Sequence, residues 1–148
     1  MKAVDFYTSL VEVPGEISLV VSISGCPFKC KNCHSSYLQN ENEGVLLNST
    51  LLKEHLHSLH TCICFFGGEQ YFEEFSNILH WCKNKGLRTA LYTGNNKIDT
   101  YLVTLLNYVK LGAFNGYPLN DKRTNQKFYI LPYWENITNK FQQRTFNA

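Results

Sequence analysis

The run Ile17-Ser18-Leu19-Val20-Val21-Ser22-Ile23 leads, through Ser24, straight into Gly25-Cys26-Pro27-Phe28-Lys29-Cys30-Lys31-Asn32-Cys33-His34. The first segment is apolar and rich in β-branched residues, the pattern of a buried strand, and Gly25 ends it. Upstream, Pro14-Gly15 is a turn signal, and Phe6 to Val13 before it predicts another strand. A buried strand followed at once by cysteines spaced CxxxCxxC is the feature from which the rest of the chain is read.

Downstream the pattern alternates. Ser49 or Thr50 can cap a helix with Leu52, Leu56 and Leu59 on one face, and Cys62-Ile-Cys-Phe-Phe66 then predicts a strand covered on both sides. Phe72, Phe75, Leu79 and Cys82 recur at helical spacing until Gly86, a helix stop. Leu87 to Tyr92 is the next strand, Ile98, Leu102 and Leu105 mark a helix, and Tyr108 to Leu111 another short strand. From Gly112 onward the pattern is mixed and aromatic, and it specifies no elements.

Strands and helices in this rhythm predict an α/β fold of βα units with a mostly parallel open sheet. Ligands then gather beyond the C-terminal strand ends, where three loops qualify: Gly25 to Ser36, Gly67-Gly68-Glu69-Gln70 and Thr93-Gly94-Asn95-Asn96. A full eight-unit barrel takes about 250 residues. A chain of 148 residues therefore predicts a single domain, 1–148, built as an incomplete (β/α) barrel.

Composition narrows the function. Apolar residues make up 44% and charged residues 18%, which excludes a disordered chain. The net charge of +2 gives no warrant for nucleic-acid binding, and no run approaches the roughly 20 apolar residues of a membrane span. The opening Met1-Lys2-Ala3-Val4-Asp5 lacks the order of a signal peptide, so the expected location is cytoplasmic. In that compartment the six cysteines read as ligands, catalysts or small core residues rather than disulfides.

Cys26, Cys30 and Cys33 are one ligand short of the usual four-cysteine shell. A 4Fe-4S cluster held by three thiolates leaves one iron open to a small molecule. Two other readings stay open. His34 can complete a Cys₃His zinc shell, although it adjoins Cys33, and Cys30-Lys31-Asn32-Cys33 has thioredoxin-like dithiol spacing. Gly67-Gly68-Glu69 has its own chemistry: glycines admit a close backbone approach, and the carboxylate accepts from an ammonium, although the same tripeptide also makes plain turns.

The two motifs together resemble the radical S-adenosylmethionine enzymes. The resemblance implies a 4Fe-4S cluster on Cys26, Cys30 and Cys33, and S-adenosyl-L-methionine chelated to its open iron. It also implies that Gly67, Gly68 and Glu69 bind the cofactor's amino group. Thr93 falls where its carboxylate or ribose is contacted, and Asn32 and His34 flank the position where adenine packs. The residue before the third cysteine is often aromatic in the family. Here it is Asn32, with Phe28 as a substitute for stacking. Gln70 stands where proline is frequent.

The chain has little beyond a minimal scaffold, which suits a protein substrate able to close the site from outside. The resemblance is closest to the glycyl-radical activating enzymes, in particular those serving anaerobic ribonucleotide reductases. It extends through Pro14-Gly15-Glu16, Gly86 to Gly94 and Thr124-Asn125-Gln126. It implies that reduced flavodoxin or a similar donor supplies an electron, and that a deoxyadenosyl radical abstracts hydrogen from a glycine of the large reductase subunit. Two alternatives remain: a small-molecule enzyme such as a carboxy-deazaguanine synthase, and a non-catalytic zinc or iron–sulfur module.

The remaining candidates read as structural. Cys62, Cys64 and Cys82 lie in apolar runs and predict buried small residues. His55, His57 and His60 predict a solvated helix face, and Lys122, Arg123 and Lys127 a wet basic patch. Tyr133-Trp134 predicts core cover rather than a docking surface.

Overall fold

A computed structural model describes residues 1–26 and 40–143, with the side chain of residue 143 excluded. Its centre is β2 (Ser18–Ile23), buried at every position. The Pro14-Gly15 turn folds β1 (Lys2–Ser9) back onto it as an antiparallel partner, and β3 (Val45–Leu46) pairs on the far side of β1. β1 starts and ends four residues earlier than the predicted strand 6–13, because residues 10–13 belong to the turn region.

Three crossovers follow. α1 (Ser49–His55) leads to β4 (Cys62–Phe66), α2 (Phe72–Asn84) to β5 (Arg88–Tyr92), and α3 (Thr100–Leu105) to β6 (Tyr108–Leu111). Each new strand is parallel to the one before, so β2, β4, β5 and β6 advance across the sheet in order. Asn48, not Ser49 or Thr50, caps α1, its side chain accepting from the Leu51 N–H at 2.8 Å. α1 stops before Leu59, which is 70% exposed, and α3 begins after Ile98, where Asp99 caps it.

The segment without predicted elements forms β7 (Lys127–Ile130), β8 (Glu135–Asn136) and α4 (Asn139–Gln143). β7 pairs antiparallel to β6, and β8 antiparallel to β7. Among the described residues the result is one eight-stranded sheet, ordered β3-β1-β2-β4-β5-β6-β7-β8, with four helices. This corrects the expectation of a mostly parallel sheet: among the described residues three pairings are parallel and four antiparallel. The reason lies in the connections: parallel neighbours arise only where a helical crossover joins them, and the pairings formed without one are antiparallel. The pairings describe an open sheet, which is the coarser part of that expectation.

The period-two alternation of the central strands sends successive side chains to opposite faces. Leu19, Val21 and Ile23 of β2, with Ile63, Phe65, Leu91 and Val109, pack under α1, α2 and α3 through Leu52, Phe75, Leu79 and Leu102. The other face carries Val20, Cys62, Cys64 and Ala90, covered by Leu119, Phe128, Ile137 and Phe141. No helix among the described residues is long and apolar enough to cross a membrane.

At the edge where the parallel strands begin, Glu16 is almost fully buried. Its carboxylate accepts from the Thr61 hydroxyl at 2.6 Å and the Tyr108 hydroxyl at 2.5 Å, and pairs with Arg88 at 3.0 Å. A buried carboxylate needs such a full set of donors. The opposite edge, where β2, β4, β5 and β6 end, is left to the described parts of the three loops.

Candidate functional site

Gly25 and Cys26 leave the end of β2, Gly67 to Gln70 the end of β4, and Thr93 to Asn96 the end of β5. Backbone bonds tie the strand ends together: the Gly67 N–H donates to the Tyr92 carbonyl at 2.9 Å, the Thr93 N–H to Lys110 at 3.0 Å, and the Gly112 N–H to Asn95 at 2.9 Å. The described parts of the three loops thus share one rim.

Gln70 joins the first two loops. Its Oε1 accepts from the Gly68 N–H at 3.1 Å, and its Nε2 donates to the Gly25 carbonyl at 3.0 Å. The glycines are required. Gly67 and Gly68 have φ of +82° and +120°, and a Cβ on Gly68 would lie 3.0 Å from the Phe75 ring. Gly25 has φ of +82°, and a Cβ there would run into the Tyr71 hydroxyl.

Glu69 lies between the second and third loops, with the side chains of Thr93 and Asn95 hydrogen-bonding its carboxyl group. The Asn95 N–H in turn donates to Thr93 Oγ1 at 3.0 Å. Burial raises the carboxyl pKa above its usual value, and these hydrogen bonds offset only part of that rise. The other oxygen, Oε2, is buried with no partner among the described residues. A carboxylate oxygen withdrawn from water without a donor is costly unless a ligand supplies one. Chemically, the spot suits a cationic N–H donor that reaches it across the two glycines.

Cys26, partly exposed, stands at the start of the first loop. Cys30, Cys33, Asn32, His34 and Phe28 lie outside the described residues. Gly67, Gly68, Glu69 and Thr93 are described, and the loops bring them together. Gln70, Tyr71 and Asn95 are additions at the rim. The sequence places Gln70 and Asn95 in candidate loops but assigns them no role, since their roles depend on which strand ends are neighbours.

The remaining predicted residues separate. Cys62, Cys64 and Cys82 are fully buried, and burial pushes the Cys62 and Cys82 thiols up to about 12 and that of Cys64 well above its usual value. The histidines do not make the predicted solvated helix face, because α1 ends at His55. His55 stacks on Phe6 with centroids 3.9 Å apart, while His60 is buried, contacting Thr8 Oγ1 through Nε2 at 2.8 Å. Among the described residues no cluster of His, Cys, Asp or Glu is placed to hold a metal ion. Arg123 is exposed, as a wet patch requires, but pairs with Asp121 at 2.7 Å. Tyr133 is 91% exposed and so does not cover the core, whereas Trp134 packs edge-on against Tyr129.

Residues 13–130 match the model of a family described as a 4Fe-4S single cluster domain. This defines the class: an iron–sulfur protein whose domain is built around one cluster. The chain belongs to the 4Fe-4S single cluster domain family, and the match spans β2 through β7. Comparison with curated proteins finds no match. Comparison with solved structures finds none either.

Proposed function

We propose that the protein is a radical S-adenosylmethionine activase, specifically an anaerobic ribonucleoside-triphosphate reductase activating protein. The observation that carries the reading is Glu69 Oε2, buried without a donor among the described residues, on a loop bonded to the Cys26 turn, in a family described as a 4Fe-4S single cluster domain. Three cysteines in this spacing leave one iron for a ligand, and a carboxylate oxygen with no donor among the described residues suits the amino group of that ligand.

On this reading Cys26, Cys30 and Cys33 hold the cluster. Gly67 and Gly68 let the cofactor approach the backbone, Glu69 accepts from its ammonium, and Thr93 orients the Glu69 carboxyl and contacts the carboxylate or ribose. Asn32 and His34 flank the adenine. When bound, the cluster supplies the electron that cleaves S-adenosyl-L-methionine for hydrogen abstraction. The protein substrate is the large glycyl-radical reductase subunit, which excludes water by docking over the rim. Reduced flavodoxin or a similar donor provides the electron, in the cytoplasm.

The test is anaerobic reconstitution with iron and sulfide, addition of dithionite and S-adenosyl-L-methionine, and chromatography for 5′-deoxyadenosine. Product that disappears in Cys30→Ala supports the chemistry, and a glycyl radical signal on an added reductase subunit supports the partner. Bound zinc with no bleachable iron–sulfur absorbance overturns the reading.

A further inference from the structure

Position 70 is glutamine where the resembled enzymes often carry proline, and only a two-ended amide makes both bonds seen here. The acceptor end takes the Gly68 N–H at 3.1 Å and the donor end gives to the Gly25 carbonyl at 3.0 Å, across 45 residues of sequence. Flipping the amide would set donor against donor and acceptor against acceptor, so the network determines its orientation. Proline has no side-chain donor or acceptor.

The neighbouring residue acts on the same point. The Tyr71 hydroxyl fills the space where a Gly25 Cβ would stand, and the Glu41 Cβ closes in at 3.3 Å from that position. The turn before Cys26 is therefore held through its carbonyl by Gln70 and at its Cα by Tyr71. The Tyr71 N–H closes a turn on the Gly68 carbonyl at 3.0 Å, so both holding residues are anchored to the Gly-Gly-Glu loop itself.

We infer that Gln70 is a positioning residue, which locks the Gly25-Cys26 turn to the Gly67–Glu69 loop and so sets the separation between Cys26 and the Glu69 carboxylate. The functional meaning of that separation rests on the proposed function, with Cys26 on the cluster and Glu69 on the cofactor's ammonium. The clamp itself rests on the hydrogen bonds alone. Gln70 is exposed, so replacing it removes nothing from the core, and a folding defect does not account for its effects.

Two variants and two readouts test this. Gln70→Ala removes both bonds; Gln70→Glu keeps the acceptor for the Gly68 N–H and turns an acceptor toward the Gly25 carbonyl. In cluster-free protein, hydrogen exchange read by mass spectrometry is expected to speed up in Gln70→Ala at peptides covering 25–26 and 67–69. Exchange in β5 and β6 stays as in wild type. In reconstituted protein, S-adenosyl-L-methionine affinity falls about fivefold in Gln70→Ala, with unchanged iron content, the scale of two solvent-facing hydrogen bonds. Gln70→Glu is no better than Gln70→Ala in affinity. Unchanged exchange in Gln70→Ala overturns the clamp, and wild-type affinity in Gln70→Glu overturns its positioning role. A wild-type protein that binds no S-adenosyl-L-methionine overturns the proposed function, and the exchange comparison then decides the clamp by itself.

Discussion

The Gly67 N–H donates to the Tyr92 carbonyl at 2.9 Å, joining the first residue after β4 to the last residue of β5. The ladder thus continues one step past the strand and brings Glu69 beside Thr93, the residue that follows Tyr92. A carboxylate on one loop acquires a hydrogen-bonding hydroxyl on the next because the strands below are in register, with Phe66 opposite Tyr92.

The two glycines of that loop should differ in their tolerance of alanine. At Gly67 the nearest atom to an added Cβ is the Ile23 carbonyl oxygen at 3.7 Å, so Gly67→Ala meets only the positive φ, a cost of about 1 kcal/mol. At Gly68 the φ of +120° combines with a 3.0 Å contact to the Phe75 ring, and Gly68→Ala should cost about 3 kcal/mol. Urea denaturation of both variants measures the difference, and equal losses would contradict it.

Glu69→Gln should separate stability from binding. The folded state raises the Glu69 pKa, so at neutral pH the charged carboxylate opposes folding, and that penalty is relieved as the pH falls through the raised value. Replacing it with a neutral amide should leave the melting temperature of the cluster-free protein unchanged or higher. On the proposed function it should weaken S-adenosyl-L-methionine binding about tenfold or more, the scale of a charge-assisted hydrogen bond. For the wild type, affinity should fall on acidification before ordinary carboxylates titrate, as protonation removes the negative charge. Calorimetric titration across pH reads both effects.

His60 should make the fold acid-sensitive. Its Nδ1 accepts the His57 N–H at 3.0 Å, which requires the neutral ring and leaves Nε2–H to donate to Thr8. Burial first, then the nearby His57, lowers its pKa below 6.5. The unfolded chain therefore takes up the proton more readily, so this contribution is complete above pH 6.5 and is lost as the pH falls through the folded value. In a His60→Gln variant the decline in melting temperature between about pH 7.5 and about pH 5.5 should be shallower than in wild type.

Thiol labelling should divide the cysteines by burial. Cys62, Cys64 and Cys82 combine full burial with raised pKa values, so at neutral pH the folded protein presents almost no thiolate there. Iodoacetamide followed by peptide mass mapping should leave all three unmodified until denaturant is added. Rapid labelling of Cys64 in folded protein would show that the sheet face beneath residues 112–143 is open.

The parallel centre of the sheet was legible because its strands are short continuous apolar runs bounded by glycines and helical periods; Cys62–Phe66 and Tyr108–Leu111 have the predicted limits. The flanks were not. β3 and β8 are two-residue, exposed edge strands with no hydrophobic alternation to announce them, and β7 exists because β6 offers it an open edge. At the site, Gly67, Gly68 and Glu69 carried a recognisable pattern. Gln70 did not, because its meaning depends on Gly25, which becomes its neighbour only when β2 and β4 pair. His60 was misread for a similar reason: α1 ends at His55, and the turn after it swings the ring toward Thr8 on β1.

The steady advance of β2, β4, β5 and β6 across the sheet has a consequence for how such a protein can change. A doubly wound sheet reverses direction once, and its ligand crevice lies at that reversal, shared by two diverging halves. Here β2, β4, β5 and β6 follow one another without a reversal, β3 alone among the described strands turning back beyond β1, and α1, α2 and α3 all lie on one face. The rim is instead a row of successive loops, each hung on its own crossover and fastened sideways to the next. One loop can lengthen or exchange its residues while its neighbours keep their places, so long as the fastening bonds survive. Ligand preference in such a scaffold can drift one loop at a time.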